Sequence, residues 1–340
     1  MIKNEMHKIH VNFFQRKPRS GFNFSIEQIF DSIRNELGSK ITFNVFISKH
    51  YNSGYWSKLV NIIQAYLNQN SNLNHITGEV HFLNLLLDKK RTVLTIHDCG
   101  MMNRKTGIAA KIVNWLYLKA PVGRAAVVTT VSNKTKEEVI AYTDCDPNKI
   151  IVIPNPIGKH FVNEERIFNT KSPRILHIGT APNKNLERLI PALQGLNCVL
   201  LIIGRLKDTQ ISLLSQFDIS YENLYNISDN KMLECYRQCD IMSFVSVSEG
   251  FGMPIIEANT VGRVVITSNV SSMPEVANGA AHLVNPYNVK DIRKGFLKII
   301  KDEDYRKMLI KAGYKNKRRF EASVVAKQYY ELYQELHSLN

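Results

Sequence analysis

The stretch Ser246-Val-Ser-Glu249-Gly250-Phe251-Gly252-Met253-Pro254-Ile-Ile-Glu257-Ala258 follows the apolar run Ile241–Val245 and opens a helical pattern that continues to Thr260. Pro254 is allowed in the first turn of that helix. The glycines at 250 and 252 let backbone N–H groups approach a ligand closely. The free N–H groups and positive dipole end of the new helix then favour a phosphate at this point. Glu249 ends the strand, and Glu257 stands about one to two turns into the helix. Carboxylates accept hydrogen bonds from hydroxyls and repel a bare phosphate. The pair would therefore flank a diphosphate, one on the hexose and one on the ribose of a nucleotide-sugar. Two glutamates at this spacing are common by chance. The strand, the glycines and the helix start around them carry the argument.

Outward from this stretch, the second half of the chain keeps one rhythm. Arg174–Ile178, Val199–Ile203, Val264–Thr267 and His282–Val284 read as short buried strands, and Asn185–Leu196, Lys231–Arg237 (capped by Asp229) and Val289–Lys301 as helices. The first half alternates in the same way. Its strands are predicted at Lys8–Phe14, Ile41–Ile47, Val80–Leu83, Val93–Ile96, Ala126–Val131 and Ile150–Ile153. Helices are predicted at Ser25–Leu37, Trp56–Asn68, Ile108–Lys119 and Asn133–Tyr142. Such alternation implies an α/β fold with mainly parallel sheets covered by helices. Pro154-Asn155-Pro156 and the polar Gly158–Pro173 mark the linker between the halves. The last segment, Ala322–Leu339, is amphipathic, with Val325, Tyr329, Leu332, Tyr333 and Leu336 on one face. The expected division is residues 1–165, 166–320 and a terminal helix 321–340. Two successive α/β sheets place a ligand in the cleft between them, beyond the carboxyl ends of the strands.

A length of 340 residues suits two domains, and 44% hydrophobic with 22% charged residues is ordinary for a soluble protein. No run approaches the ~20 apolar residues that span a bilayer. Met1–His10 lacks the apolar core of a secretory signal, so a cytoplasmic location is expected. The five cysteines form no C-x-x-C pair and no zinc spacing, and read as reduced thiols; no metal site is expected. The net charge of +14 predicts attraction to a polyanion, either nucleic acid or an anionic membrane surface. The stretch Arg104–Arg124 mixes Ile108, Ile112, Trp115 and Leu116 with Arg104, Lys105, Lys111 and Lys119. It reads first as a helix packing its apolar face on the sheet, and alternatively as a basic, Trp-bearing helix that also meets anionic lipid or a lipid-linked acceptor; the two readings can hold on different faces. The basic run Lys311–Arg319 reads as a solvated helix face.

The string from Ser246 to Ala258 resembles the signature of the retaining glycosyltransferases of family 4, the group 1 glycosyltransferases. The usual proline before the serine is Val245 here. Leu176-His-Ile-Gly179 followed by Asn183-Lys184-Asn185-Leu186 resembles the family's first donor-domain strand and its Lys-Asn pair. Ser228–Leu233, Ser272–Val276 and Ala280–Pro286 continue the pattern, with Asn226 where the family usually has glycine. In the first half, Arg19-Ser20-Gly21-Phe22 resembles the glycine-bearing loop near the donor phosphates, and Thr95-Ile-His97-Asp98 the active-site histidine segment. The resemblance implies the GT-B fold: two Rossmann-like domains facing across a cleft, with the terminal helix packing back on the first. It implies a donor site formed by Gly21, Gly179, Lys184, Arg205, Gly250, Phe251, Gly252 and Glu257, with His97, Glu249 and Lys184 as the catalytic group. By that match Lys184 meets the diphosphate, His97 and Glu249 the sugar, and Glu257 the ribose. The implied reaction moves a hexose from a UDP- or GDP-sugar to a hydroxyl of a glycan or lipid-linked acceptor, with retention. No metal or cofactor is implied, the nucleotide-sugar being a co-substrate.

Two rival readings remain at this stage. A GT-B nucleotide-sugar epimerase would need acid/base groups in the cleft and no acceptor. A basic nucleic-acid-binding protein is motivated by the charge, but the basic residues are dispersed and carry no recognition motif, so no nucleic-acid partner is expected. A dehydrogenase is disfavoured because no G-x-G-x-x-G follows the first strand of either half.

Overall fold

The computed structural model describes residues 8–18, 26–51, 54–69, 72–100, 102 and 107–339. The chain divides into two compact units. The first runs to Pro156 and takes back Ala322 onward, and the second holds Ile157–Glu321.

In the first unit, strands β1 (Ile9–Gln15), β2 (Ile41–Ile47), β3 (Leu73–Ile76), β4 (Thr92–Ile96), β5 (Val127–Thr130) and β6 (Ile150–Val152) form one sheet in the order β2-β1-β3-β4-β5-β6. All its pairings are parallel. The helices are α1 (Ile26–Leu37), α2 (Tyr55–Asn68), α3 (Gly107–Asn114), α4 (Ala120–Arg124) and α5 (Asn133–Thr143). Apolar side chains cover both sheet faces, as buried parallel strands require. On one face Phe13, Phe30 and Leu73 meet Val325, Tyr329 and Tyr333 of the terminal helix; on the other Phe14, Ile76 and Leu94 meet Phe82, Leu118 and Val139.

Three details differ from the sequence-based expectation. Val80–Leu83 is not a strand: His81–Leu85 is a 3-10 turn, and the strand lies earlier, at β3. The polar Asn74 and His75 disguise β3, and the structure buries both. The helix expected at Ile108–Lys119 is interrupted, since Trp115–Lys119 is a π-helical turn between α3 and α4. Arg104 and Lys105 lie outside the described residues.

In the second unit the strands are β7 (Arg174–Ile178), β8 (Val199–Ile203), β9 (Tyr221–Leu224), β10 (Ile241–Phe244), β11 (Val264–Ser268) and β12 (His282–Val284). Their order, β12-β11-β10-β7-β8-β9, is again wholly parallel. The helices are α6 (Leu186–Leu193), α7 (Asp208–Gln216), α8 (Asp229–Gln238), α9 (Met253–Val261), α10 (Met273–Ala277), α11 (Val289–Lys301) and α12 (Glu303–Asn316); α13 (Ala322–Ser338) returns to the first unit, against α1. Ser228, not Asp229, caps α8, its hydroxyl accepting from the Lys231 N–H.

The polar segment expected as the inter-domain linker is strapped along the second unit. Ile157 N–H donates to the Phe320 carbonyl at 2.7 Å, and Arg263 donates to the Glu164 carbonyl at 2.8 Å. Arg166 pairs with the buried Asp240 at 3.0 Å. These bonds put the division at Pro156 rather than at residue 165. The basic run Lys311–Arg319 covers the end of α12 and the following 3-10 turn, and Lys311, Lys315, Arg318 and Arg319 are exposed as expected.

Candidate functional site

In an open parallel sheet, ligands gather where the strand order reverses, at the carboxyl ends of the two strands whose following connections diverge. In the second sheet those strands are β7 and β10, which are neighbours. Directly after β7 stands Gly179, with φ of 96°. A Cβ there would meet Lys184 Cγ at 2.7 Å, so only glycine leaves room for the lysine stem. Pro182–Lys184 forms a 3-10 turn, and Asn185 adopts the left-handed conformation before α6 begins. The buried Asn185 amide donates to the Val245 carbonyl at 3.0 Å and the Pro286 carbonyl at 2.7 Å, which ties the ends of three strand segments together.

The loop after β10 meets this turn. Val247 N–H donates to the Asn183 carbonyl at 2.8 Å. Lys184 Nζ donates to Glu249 Oε1 at 2.6 Å, and the Asn183 amide reaches the same oxygen at 3.3 Å. The ammonium also stands 5.1 Å from the centre of the Phe244 ring. Ser271 and Ser272 hydroxyls donate to the Glu249 carbonyl at 2.8 and 3.0 Å, and Ser271 Oγ accepts the Glu249 N–H. The Glu249 backbone is therefore held from both sides, and its carboxylate is presented to a lysine.

Gly252, with φ of 121°, is the residue before α9. Four residues into that helix region, Glu257 is buried at 1% exposure. Its Oε2 accepts from the Tyr236 hydroxyl on α8, while Oε1 has no hydrogen-bond partner among the described residues. Burial pushes the carboxyl up to about 7, against a lowering by the Tyr236 hydrogen bond. A half-satisfied buried carboxyl has a free acceptor to offer a ligand hydroxyl.

The remaining expected donor residues fall as follows. Arg205 follows β8 and is exposed, its guanidinium 5.3 Å from the centre of the Tyr225 ring. The Phe251 side chain is not available to a ligand: it is buried edge-on against Phe320, with ring centres 5.6 Å apart. Only its backbone can serve the site, and its carbonyl already accepts from Ser272 at 2.6 Å. Gly21 lies outside the described residues.

His97 belongs to the first unit, at the end of β4. There the strand order reverses between β1 and β3, and His97 Nε2 lies 2.9 Å from the Thr77 carbonyl just after β3. That contact requires the proton on Nε2 and leaves Nδ1 as an acceptor. Burial lowers the imidazole pKa, partly countered by the Thr77 bond, so the ring is neutral at pH 7. Gly78 gives it space, since a Cβ there would come within 2.5 Å of the ring.

Residues 160–316 match the family described as Glycosyl transferases group 1, and residues 21–159 match Glycosyltransferase Family 4. The chain belongs to the group 1 glycosyltransferases of family 4. It is 27% identical to the serotype-specific mannosyltransferase WbdA of Escherichia coli over 64% of this chain and 30% of that protein. It is also 27% identical to the O-antigen chain mannosyltransferase RfbU of Salmonella typhimurium, over 59% of this chain and 58% of the relative. The chain thus spans less than a third of the first relative's length and more than half of the second's. Among solved structures, the sucrose-phosphate synthase of Thermosynechococcus elongatus aligns with a TM-score of 0.80 at 15% identity, over 98% of this chain and all of the other. HepE of Anabaena, in complex with UDP and glucose, aligns at 0.77 and 14% identity, over 96% of this chain and all of the other. These likenesses establish the fold as GT-B, two Rossmann-like domains each with a parallel six-stranded sheet.

In this glycosyltransferase, sequence reasoning missed the supporting residues. Tyr236 holds Glu257, Ser271 and Ser272 hold the Glu249 loop, and Gly78 makes room for His97. Tyr236 could have been found from helical spacing, because it shares the buried face of α8 with Met232 and Leu233.

Proposed function

We infer that this glycosyltransferase moves a hexose from a UDP- or GDP-sugar to a hydroxyl of a glycan or lipid-linked acceptor, with retention, in the synthesis of a cell-surface polysaccharide. The observation that carries the reading is the Lys184–Glu249 pair at the β7/β10 switch point, 2.6 Å apart. An ammonium held there can transfer its attention from Glu249 to the donor diphosphate, and the released carboxylate then accepts from sugar hydroxyls. Glu257 Oε1 would take a ribose hydroxyl, and His97 Nδ1 a hydroxyl of the transferred sugar. In the proposed step the bond from the anomeric carbon to the phosphate oxygen breaks. The acceptor oxygen bonds to that carbon on the same face, and its proton passes to the departing phosphate. Lys184 and the backbone N–H groups at the start of α9 stabilise the charge on that phosphate, so no metal is required. The relatives named as mannosyltransferases make mannose the first sugar to test. The net charge of +14 supports work at an anionic membrane surface, and no helix among the described residues is long and apolar enough to cross one.

Thermal stabilisation by a panel of UDP- and GDP-sugars identifies the donor, since a ligand at a hundred times its Kd adds about 2.7 kcal/mol. With that donor, turnover should survive EDTA, and proton NMR should show the donor's own anomeric configuration in the product. Lys184→Ala should slow the chemical step by a few kcal/mol of barrier, about 2.7–4 kcal/mol by analogy with other preorganised donors. An inverted product would overturn the mechanism while leaving the fold untouched.

A further inference from the structure

Helix α2 is amphipathic in the reverse sense. Its exposed positions are Tyr55, Trp56, Leu59, Val60 and Ile63, continuing through Tyr66 and Leu67, and no polar residue interrupts them. At about 3.6 residues per turn they occupy one continuous arc of about 140°. Trp56 is 80% exposed and Leu67 73%. Two polar residues of the helix, Asn61 and Gln64, face inward. Asn61 is buried and bonds both the N–H and the carbonyl of His50, at 3.0 and 2.9 Å. Gln64 accepts from the Lys49 N–H at 3.0 Å and donates to the Ile47 carbonyl at 3.1 Å. The polar residues Asn61 and Gln64 are thus needed to satisfy the backbone that leaves edge strand β2, and among the described residues the apolar face stays exposed.

The apolar surface continues beyond α2. Lys58 Nζ stands 5.8 Å from the Tyr55 ring centre and 5.9 Å from that of Tyr117, which joins the helix to the π-helical turn. Ile112 and Trp115 are exposed on that neighbouring segment, flanked by the exposed Lys111 and Lys119. From Lys40 to Arg124 the sequence holds eleven lysines and arginines against three acids, Glu79, Asp88 and Asp98. A second copy of the chain would bring the same cationic surroundings to an isologous contact and be repelled. An anionic bilayer has the complementary charge, and its interface favours Trp and Tyr beside aliphatic side chains.

We propose that the solvent-facing side of α2, with Trp115 and Ile112 beside it, is the face by which the first unit inserts into an anionic lipid surface. The inference rests on the membrane reading above and specifies its location. Lipid acyl chains cover the apolar arc, and the lysines around it meet the phosphates of the headgroups.

The test uses the full chain and vesicles of phosphatidylcholine with or without phosphatidylglycerol. Wild-type protein should sediment with the anionic vesicles, leave them as salt rises, and ignore the neutral ones. In Trp115→Phe the only remaining tryptophan is Trp56, and its emission should shift to the blue on the vesicles and be quenched by brominated lipid. The double variant Leu59→Glu with Ile63→Glu alters exposed positions only, so its thermal melt should match wild type while its vesicle partition falls by at least about tenfold. If wild type ignores anionic vesicles altogether, the membrane reading fails and takes this inference with it. If wild type binds but the double variant binds equally and Trp56 emission stays put, the membrane reading stands and the face is wrong. A wild-type dimer that the double variant turns into a monomer, with no vesicle dependence, would assign the face to a second copy and overturn the proposal.

Discussion

Glu257 is buried with one oxygen bonded to Tyr236 and the other without a hydrogen-bond partner among the described residues, so its behaviour depends on a single phenol. Tyr236 is itself fully buried, and burial first, then the Glu257 charge, raises its pKa well above the ordinary value; it stays a donor at every working pH. Its bond favours the ionised carboxylate, the form that accepts most strongly from a ribose hydroxyl. Glu257→Ala should weaken nucleoside diphosphate binding by about 1–3 kcal/mol, the cost of a lost charge-assisted bond. Tyr236→Phe should remove the lowering influence, so the carboxyl titrates above about 7. Binding by that variant should then be weak at neutral pH and recover as pH rises, whereas Glu257→Ala stays weak throughout. Calorimetric titrations across pH distinguish the two. Parallel loss at all pH values would mean that Tyr236 only packs. Glu249 calls for a different expectation, because its proposed partner is the sugar. Its replacement by alanine should lower turnover more than nucleotide affinity.

Helix α13 shows the same logic at the level of an element, since a chain of buried polar groups fastens it to the sheet. His75 on β3 meets the Tyr333 hydroxyl at 2.6 Å through Nδ1 and the Thr95 hydroxyl at 2.7 Å through Nε2, and Thr95 meets Thr129 at 2.7 Å. A neutral imidazole donates through one nitrogen and accepts through the other, so both bonds can be made together. Tyr333→Phe leaves one ring nitrogen unpaired in the core and should destabilise the protein by about 1–3 kcal/mol. Faster hydrogen exchange in α13 than in α11 would locate the loss; an unchanged melt would contradict it. The same residues explain what could be read in advance and what could not. Strands β7, β8 and β12 and helix α11 fall where apolar runs and helical spacing in their own sequences place them. Strand β3 is hidden because its middle is Asn74 and His75: partners distant in sequence satisfy the buried His75, while the buried Asn74 amide has no hydrogen-bond partner among the described residues. The site divides in the same way. The glycines, the lysine and the two glutamates stand in readable motifs; the spacing of α8 marks Tyr236 as buried without naming its partner, and Ser271 and Ser272 reach the Glu249 loop through tertiary contacts that no local spacing announces.

For the whole molecule, buried titratable groups set the response to acid. Burial, then the Arg34 and His97 charges, lowers His75 to about 3, and burial with the Lys184 charge lowers His177 to about 4. His81, His97 and His282 are lowered in the same direction, burial being the first cause in each. As pH falls from the ordinary histidine value of 6.5, the unfolded chain takes up protons that the folded chain refuses. Each such proton removes about 1.4 kcal/mol of stability per pH unit. Glu257 acts oppositely: raised from 4.5 to about 7, it is protonated in the fold first, so its contribution is full at low pH and is lost as pH rises through about 7. Histidines outnumber this one carboxyl, and the net charge of +14 grows further on acidification, adding self-repulsion. The melting temperature should therefore fall steadily as pH drops from about 7 to about 4. The two opposing contributions can be separated with Glu257→Gln, which keeps the shape of the side chain and stays neutral. Without ligand, this variant should gain on wild type as pH rises from 4.5 to about 7 and hold a constant advantage above that. Paired melts of the two proteins across that range measure the difference directly. A gap that is flat with pH would show that the carboxyl already titrates normally and is open to water, which would remove the buried free oxygen on which the ribose assignment depends.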